Sequence, residues 1–454
     1  MNLKLLLYPF VSFLLLSDLS AQAWLGHDVD FEYPNPAQEV ICPNDSAAWT
    51  FGLEIDSLSG YPTEVNYTVS RTIDRGETWQ RITFPHNEPG YFSCLSALST
   101  DVACIAYVDY AEGNKLLKTT DGGNTWSLLP LNVGVWINIG YFFDEHLGVA
   151  IGDPDSLGFE IYTTVDGGAN WTRVDPSQVP EAVPDEYGYG GYYEVVGTSI
   201  WFETSAGRVY TSDDYGSTWN VFSGPLPEPY FSMAADQAHH VYLSYTTSDN
   251  PDGSSPVTAF YRTADNGISW EDITPQDNGW WIFDLEPVPG SNTVIGSFNA
   301  GFSTGLFETR ISYDAGASWT TTDNSAHVLA LDFSDAESGY AGRWKPLGDL
   351  SPTTVYRYSG SPLTGILHPE PLSIDLQIIP NPTTAYVDIR MDGKVSEDYW
   401  ILVNDLSGHL IVRYEYTDVS SIRQNIDMKD LPAGTYVITM ASAHGIRTEK
   451  IIRL

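Results

Sequence analysis

Positive charge is scarce in this chain: 21 Lys and Arg stand against 59 Asp and Glu in 454 residues, a formal net charge of −38. A polyanion is held by clustered guanidinium and ammonium groups, so nucleic acid is excluded as a partner and anionic membranes are disfavoured. Cysteine is nearly absent too, with three residues, Cys42, Cys94 and Cys104. None stands in a zinc-ligand spacing, and the nine histidines form no HExxH or H-x-E cluster, so neither a metal nor a cofactor is expected. Cys94 and Cys104 flank a turn around Ser99, which leaves open a disulfide across a hairpin or buried free thiols. Asp249-Asn250-Pro251-Asp252-Gly253 lacks the alternating ligands and late Glu of a calcium loop and reads as an ordinary loop. Long apolar runs are also missing beyond the first residues, so no transmembrane span is expected. The run from Leu5 to Leu16 is short of the ~20 residues that cross a bilayer. Preceded by Lys4 and followed by Ala21-Gln22-Ala23, it reads as a secretion signal over residues 1–23.

What the chain does have is aromatic residues, 13% of the total against 18% charged, which is core-forming material rather than a disordered composition. Its 39 glycines and 28 prolines favour many short strands over long helices. The charge is unevenly spread: from residue 24 to 370 there are 12 basic and 47 acidic residues, whereas the C-terminal stretch is nearly balanced.

An octet recurs at a period near fifty. Thr72-Ile73-Asp74-Arg75-Gly76-Glu77-Thr78-Trp79 returns five times, through Asp121, Asp166, Asp214, Asp265 and Asp314, each followed by a glycine two residues on and a tryptophan five residues on. The tryptophans, 79, 126, 171, 219, 270 and 319, are 45 to 51 residues apart, the signature of a repeat architecture. Within the octet the Asp accepts backbone hydrogen bonds, the Gly takes positive φ, the hydroxyls close the turn and the Trp anchors the next strand. The octets resemble the Asp-box, or BNR repeat, of sialidases and other β-propellers. That resemblance implies a structural box between the third and fourth strands of each blade, away from the ligand-binding face. The third unit reads as four strands: 136–143, 147–152, 159–164 and 171–174. A seventh unit without a box runs through His327 to Phe333, Ser338 to Gly342 and Thr354 to Tyr358. The expected fold is all-β, a seven-bladed β-propeller over 24–366, with six blades plus a lone hairpin as the alternative. Closure is expected to pair a strand near Phe31-Glu32-Tyr33 with the last blade, which removes an exposed edge.

After a linker at 367–372, residues 373–454 alternate apolar and polar around stiff turns and read as a small C-terminal β-sandwich. Its motifs are Ile379-Pro380-Asn381-Pro382, Val403-Asn404-Asp405-Leu406-Ser407-Gly408, Leu431-Pro432-Ala433-Gly434-Thr435-Tyr436 and the terminal Lys450-Ile451-Ile452-Arg453-Leu454. In order and in kind they resemble the C-terminal sorting domain of type IX secretion cargo in Gram-negative bacteria. The resemblance implies the secretion machinery as a partner and a secreted or outer-surface location.

Chemistry is less legible. Sialidase activity needs converging arginines, yet the propeller region has only nine, several of them in or beside the octets, and the family's early Arg-Ile-Pro motif is missing. Two carboxylates at a suitable separation suffice for another glycoside hydrolase, with Asp284 and Glu286 or Glu186 and Glu194 as candidate pairs. A polysaccharide lyase could draw on Tyr192, Tyr193 and His327. Aromatics gather where each repeat leads into the next, on the expected face opposite the octets. Trp136, Tyr187, Tyr189, Tyr192, Tyr230 and Trp280 are the candidate ligand-binding residues, with core packing as the alternative role. The segment Glu186-Tyr187-Gly188-Tyr189-Gly190-Gly191-Tyr192-Tyr193 has the composition of an adaptable binding surface. Rings beside carboxylates suit sugars, whose C–H faces stack while their hydroxyls donate. The expectation is a binding protein for a glycan or other extracellular polymer, with hydrolase or lyase as the alternative. A third class is a protein-binding scaffold. Phe143-Asp144 to Gly152-Asp153-Pro154 and Ser334-Asp335 to Gly342 resemble repeats of photosystem-assembly-type propellers, which act by binding proteins.

Overall fold

The computed structural model describes residues 24–29, 31, 37–55, 65–83, 90–226, 232–247, 257–275, 280–300, 306–323, 326–343, 351–360, 363, 375–405, 410–429, 431–442 and 445–454. Apart from a 3-10 turn at Pro176–Gln178, their regular structure is β. The chain divides into two compact units, Met1–Ile366 and Leu367–Leu454.

In the first unit the described strands form seven four-stranded antiparallel sheets, here numbered in chain order. The third sheet shows the plan: Ile137–Phe142, Gly148–Asp155, Gly158–Thr164 and Thr172–Arg173 lie side by side in sequence order. Val149, Ala150 and Ile151 are all buried because both faces of the sheet are covered, which is why this strand reads as a continuous apolar run. The cover comes from the neighbours: Phe142, Val149, Ile151 and Phe159 share one core with Ile200, Phe202, Tyr210 and Trp219 of the fourth sheet. Each such side chain contributes about 1.5–3 kcal/mol by leaving water.

The first strands of the sheets are Ala37–Asn44, Gly90–Ala97, Ile137–Phe142, Gly188–Val196, Ser232–Ala235, Trp281–Pro287 and Val328–Phe333. Each packs against the next, and the last returns to the first, closing a β-propeller around an axial channel. Closure is made by Trp24–Asp28, the outermost strand of the seventh sheet, paired antiparallel with Thr354–Tyr358. This corrects the expectation of a strand near Phe31-Glu32-Tyr33. Trp24 is the anchor: it is fully buried and meets Phe333 and Tyr358 edge to face, with centroids 6.1 and 5.4 Å away. Phe31 instead packs partly buried beside Tyr340 and Val355, and Glu32 and Tyr33 lie outside the described residues. All three cysteines are buried free thiols. Cys94 pairs with Ala106 and Cys104 with Ser96, so the two stand diagonally across their strands rather than opposite one another.

In the second unit, Asp375–Ile379, Tyr386–Asp405, Leu410–Asp427, Gly434–Ser442 and Gly445–Arg453 hydrogen-bond into a five-stranded sheet. The two long strands shift register between Asp392 and Tyr399 and so serve both halves of it. Val387, Ile389 and Met391 from one half share a core with Tyr399, Ile401 and Val403 from the other, at the alternating positions a half-buried strand requires.

Candidate functional site

Strand order places each octet between the third and fourth strands of its sheet. The turns joining first and second strands lie at that same end, and the links between sheets lie at the other. At the octet end every aspartate is enclosed by its own turn. Asp74 Oδ1 accepts from Thr72 Oγ1 at 2.8 Å and from Thr78 N at 2.9 Å, and its Oδ2 accepts from Thr78 Oγ1 at 2.5 Å. Gly76 N donates to Thr72 Oγ1 at 2.9 Å, with Arg75 and Gly76 at φ 62° and 80°. Asp121, Asp166, Asp214, Asp265 and Asp314 repeat these bonds to the residues two before and four after them. The Asn170 amide and then its backbone N–H hold Asp166 down at about 2.

The channel treats carboxyls in the opposite way. Five acids from the first strands face it: Glu39, Glu194, Asp284, Glu286 and Asp332. Each keeps partial accessible surface while protein groups crowd around its carboxyl. Burial pushes Glu39 up to about 8 against the Leu95 N–H at 3.4 Å, with Asp332 and Asp284 adding repulsion. Burial takes Asp284 to about 7, opposed by N–H donors of Leu331 at 2.7 Å and Leu285 at 2.9 Å. Asp332 is likewise raised to about 7 by burial and accepts from Cys42 N at 2.5 Å. Glu194 and Glu286 are raised by burial and then by neighbouring carboxylates, and Glu286 accepts from Phe333 N at 3.4 Å. Apart from that of Leu285, these bonds run between sheets, from the first to the second, the sixth to the seventh and the seventh back to the first, so carboxyls tie this part of the ring together. Tyr141, pushed up to about 12 by burial, and Tyr193, raised by burial and then by Cys94 and Glu39, belong to the same set.

Across the other mouth runs a strap. The strand Gly188–Val196 pairs as Gly188↔Thr204, then resumes at Tyr193↔Phe202, so Tyr189 to Tyr192 oppose the single residue Glu203 and loop away from their sheet. The loop crosses the ring to reach the second and first sheets. A Cβ on Gly190 would stand 2.7 Å from the Ser93 carbonyl oxygen, and Gly191, at φ 76°, lies by Ser93 and the Glu39 carboxyl. The strap carries rings: Tyr187 meets Tyr189 at 5.5 Å and Tyr189 meets Tyr192 at 5.6 Å between centroids. Beside them Tyr91 and Trp136 are 5.4 Å apart, and Tyr91 lies near enough to act on the Tyr192 hydroxyl. Tyr91, Trp136, Tyr187 and Tyr192 are 36 to 47% exposed, so this is an open strip and not core.

The structure thus brings together Trp136, Tyr187, Tyr189 and Tyr192 of the sequence candidates and adds Tyr91. Trp280 is set apart, partly buried against the core around Phe298, with the Arg310 guanidinium 4.8 Å from its ring centre. Tyr230 lies outside the described residues. Of the carboxylate pairs, Asp284 and Glu286 do share the channel, joined by Glu194. Glu186 instead fixes its own loop, accepting from Val183 N at 2.8 Å and Thr204 Oγ1 at 2.5 Å beside Arg208. Tyr193 sits in the channel, whereas His327 stacks on Phe307 at 4.3 Å. Glu39 and Asp332 were missed, although an acid inside an apolar strand, as in Leu331-Asp332-Phe333, is the signal that finds them. No group of three or more His, Cys, Asp or Glu able to hold a metal occurs among the described residues.

Two curated relatives are both xyloglucanases. That of Hypocrea jecorina (strain QM6a) is 30% identical over 275 residues, covering 56% of this chain and 29% of the relative. That of Paenibacillus sp is 27% identical over 268 residues, covering 49% of this chain and 24% of the relative. The chain therefore spans less than a third of the length of either. The solved structure of YCF48 bound to D1 peptide aligns with a TM-score of 0.53 at 19% identity, over 75% of this chain and 98% of that one, a likeness of fold alone. Among the described residues no helix is long and apolar enough to cross a membrane. Residues 377–453 match the secretion system C-terminal sorting domain, which makes the tail a type IX export signal and the protein a secreted or outer-surface one.

Proposed function

We propose that the protein is an exported binding protein that takes a neutral polysaccharide along the aromatic strip at the mouth of its propeller, with the octets serving only to staple its sheets. The observation that carries this reading is the strip itself: Trp136, Tyr91, Tyr192, Tyr189 and Tyr187 lie in sequence across an exposed face, where stacked sugar rings gain contact at little entropic cost. The xyloglucanase likeness supports a glucan as the ligand class. Charge supports a neutral one, because a polyuronate would approach a chain of net charge −38. Binding isotherms with soluble xyloglucan and with a polyuronate test this. Binding of the first alone is expected, and preference for the polyuronate overturns it.

A glycoside hydrolase is the second reading, favoured by the names of both curated relatives and by the carboxyls of the channel. Glu39, Asp284, Glu286 and Asp332 each accept from backbone amides, an arrangement that favours support of the ring over attack on a glycosidic bond. Reducing-end release from xyloglucan during the same titration decides for hydrolysis.

A further inference from the structure

The strap lies between two layers, exposed tyrosines above and the channel carboxyls below, with Gly191 beside the Glu39 carboxyl. Its central residues, Gly190 and Gly191, bring no side chain to bury, and Tyr187 and Tyr192 on either side of them remain 47 and 45% exposed. A segment with so little buried apolar surface opens at low cost. We propose that the strap Tyr189–Tyr192 is a proton-gated cover, closed while the channel carboxyls are neutral and lifted when they ionise, so that assembly of the aromatic strip is linked to proton uptake. The last link rests on the glycan-binding reading above; the gating itself does not.

The groups that face the channel are Glu39 from the first sheet, Tyr91 and Cys94 from the second and Tyr141 from the third. The fourth supplies Tyr192, Tyr193 and Glu194, with Glu203 behind the strap; the sixth supplies Asp284 and Glu286, and the seventh Asp332. The described part of the fifth, Ser232–Ala235, brings no titratable side chain. Among the described residues, what acts on the five acids is each other and backbone amides. In an unfolded chain such carboxyls titrate near 4. In the ring they hold their protons to about 7 for Asp284 and Asp332 and about 8 for Glu39. Over that interval the folded state binds more protons than the unfolded one, so stability present in mild acid declines as pH rises toward 7 to 8 and is not regained above. Once ionised, the acids repel at close quarters, and Glu39, whose carboxyl lies by Gly191, passes that repulsion to the strap.

Hydrogen–deuterium exchange of the full chain, without sugar, tests the gate. Protection of amides 188–193, corrected for intrinsic exchange, should fall by at least about tenfold between roughly pH 5.5 and 8.5, while amides of Gly148–Asp155 keep theirs. The triple variant Glu39→Gln, Asp284→Asn, Asp332→Asn, which leaves only Glu194 and Glu286 of the five acids, should cut the fall to less than half. Should that variant not fold, Asp284→Asn, which keeps an acceptor for the Leu331 N–H, should shrink it. Equal protection at both pH values, a loss shared by 148–155, or a fall unaltered in the folded variants each overturns the proposal. Since no sugar is present, these results leave the glycan reading to its own isotherm.

Discussion

The octet turns and the axial channel use the same carboxyl groups to opposite effect. In the octet turns a carboxylate sits at the surface with several donors aimed at it, and Asp166 is held at about 2. In the channel the donors are fewer and the neighbours are acids, so Asp284 and Asp332 hold their protons to about 7. Donors per oxygen and access to water, not residue type, set the charge state. The octet turns are thereby a fixed, charged scaffold, whereas the channel holds carboxyls that keep their protons in mild acid and whose charge can change.

Four measurements sharpen that contrast. The largest effect is expected at the octet tryptophans: Trp219 is 5% exposed and meets Phe202 at 5.3 Å, so Trp219→Ala should cost about 3–5 kcal/mol in denaturant unfolding. Next is Asp214→Ala, which strands the N–H groups of Ser217 and Thr218 and the hydroxyls of Ser212 and Thr218. A loss of ~1–3 kcal/mol is expected, much the same at mild acid and mild alkaline pH because this carboxylate stays ionised over that range. The channel should behave oppositely. Tm of the wild type should decline as pH rises from about 5 to 8, and Asp284→Asn should shrink the decline without lowering Tm in acid. Smallest for stability is Tyr192→Ala, an exposed ring whose loss should stay within about 0.5 kcal/mol.

The scaffold was legible because it repeats. Six octets announce their turns, and the apolar runs between them announce strands buried on both faces. The closing strand was placed about seven residues late, since Phe31 and Tyr33 alternate as a strand would whereas Trp24 looks like the residue after a cleavage site. In the site, Trp136 and Tyr192 stand out as aromatics leading into inner strands, and Tyr187 and Tyr189 because glycines flank them. Tyr91 leads into an inner strand as Trp136 does, but nothing local marks the two as partners. The acids of the channel were visible only as single residues. What makes them a set is the closing of the ring, which brings positions 39, 194, 284, 286 and 332 to one axis across nearly 300 residues of sequence.

The claim on which the account turns is that the strip, and not the octet end, meets the ligand. Titrating soluble xyloglucan into Tyr192→Ala at mildly acidic pH tests it, with Asp214→Ala as the control. The account predicts affinity weakened by ~1–3 kcal/mol in Tyr192→Ala with Tm unchanged, and undiminished affinity in folded Asp214→Ala. Unaltered affinity in Tyr192→Ala, or a loss confined to Asp214→Ala, would contradict it.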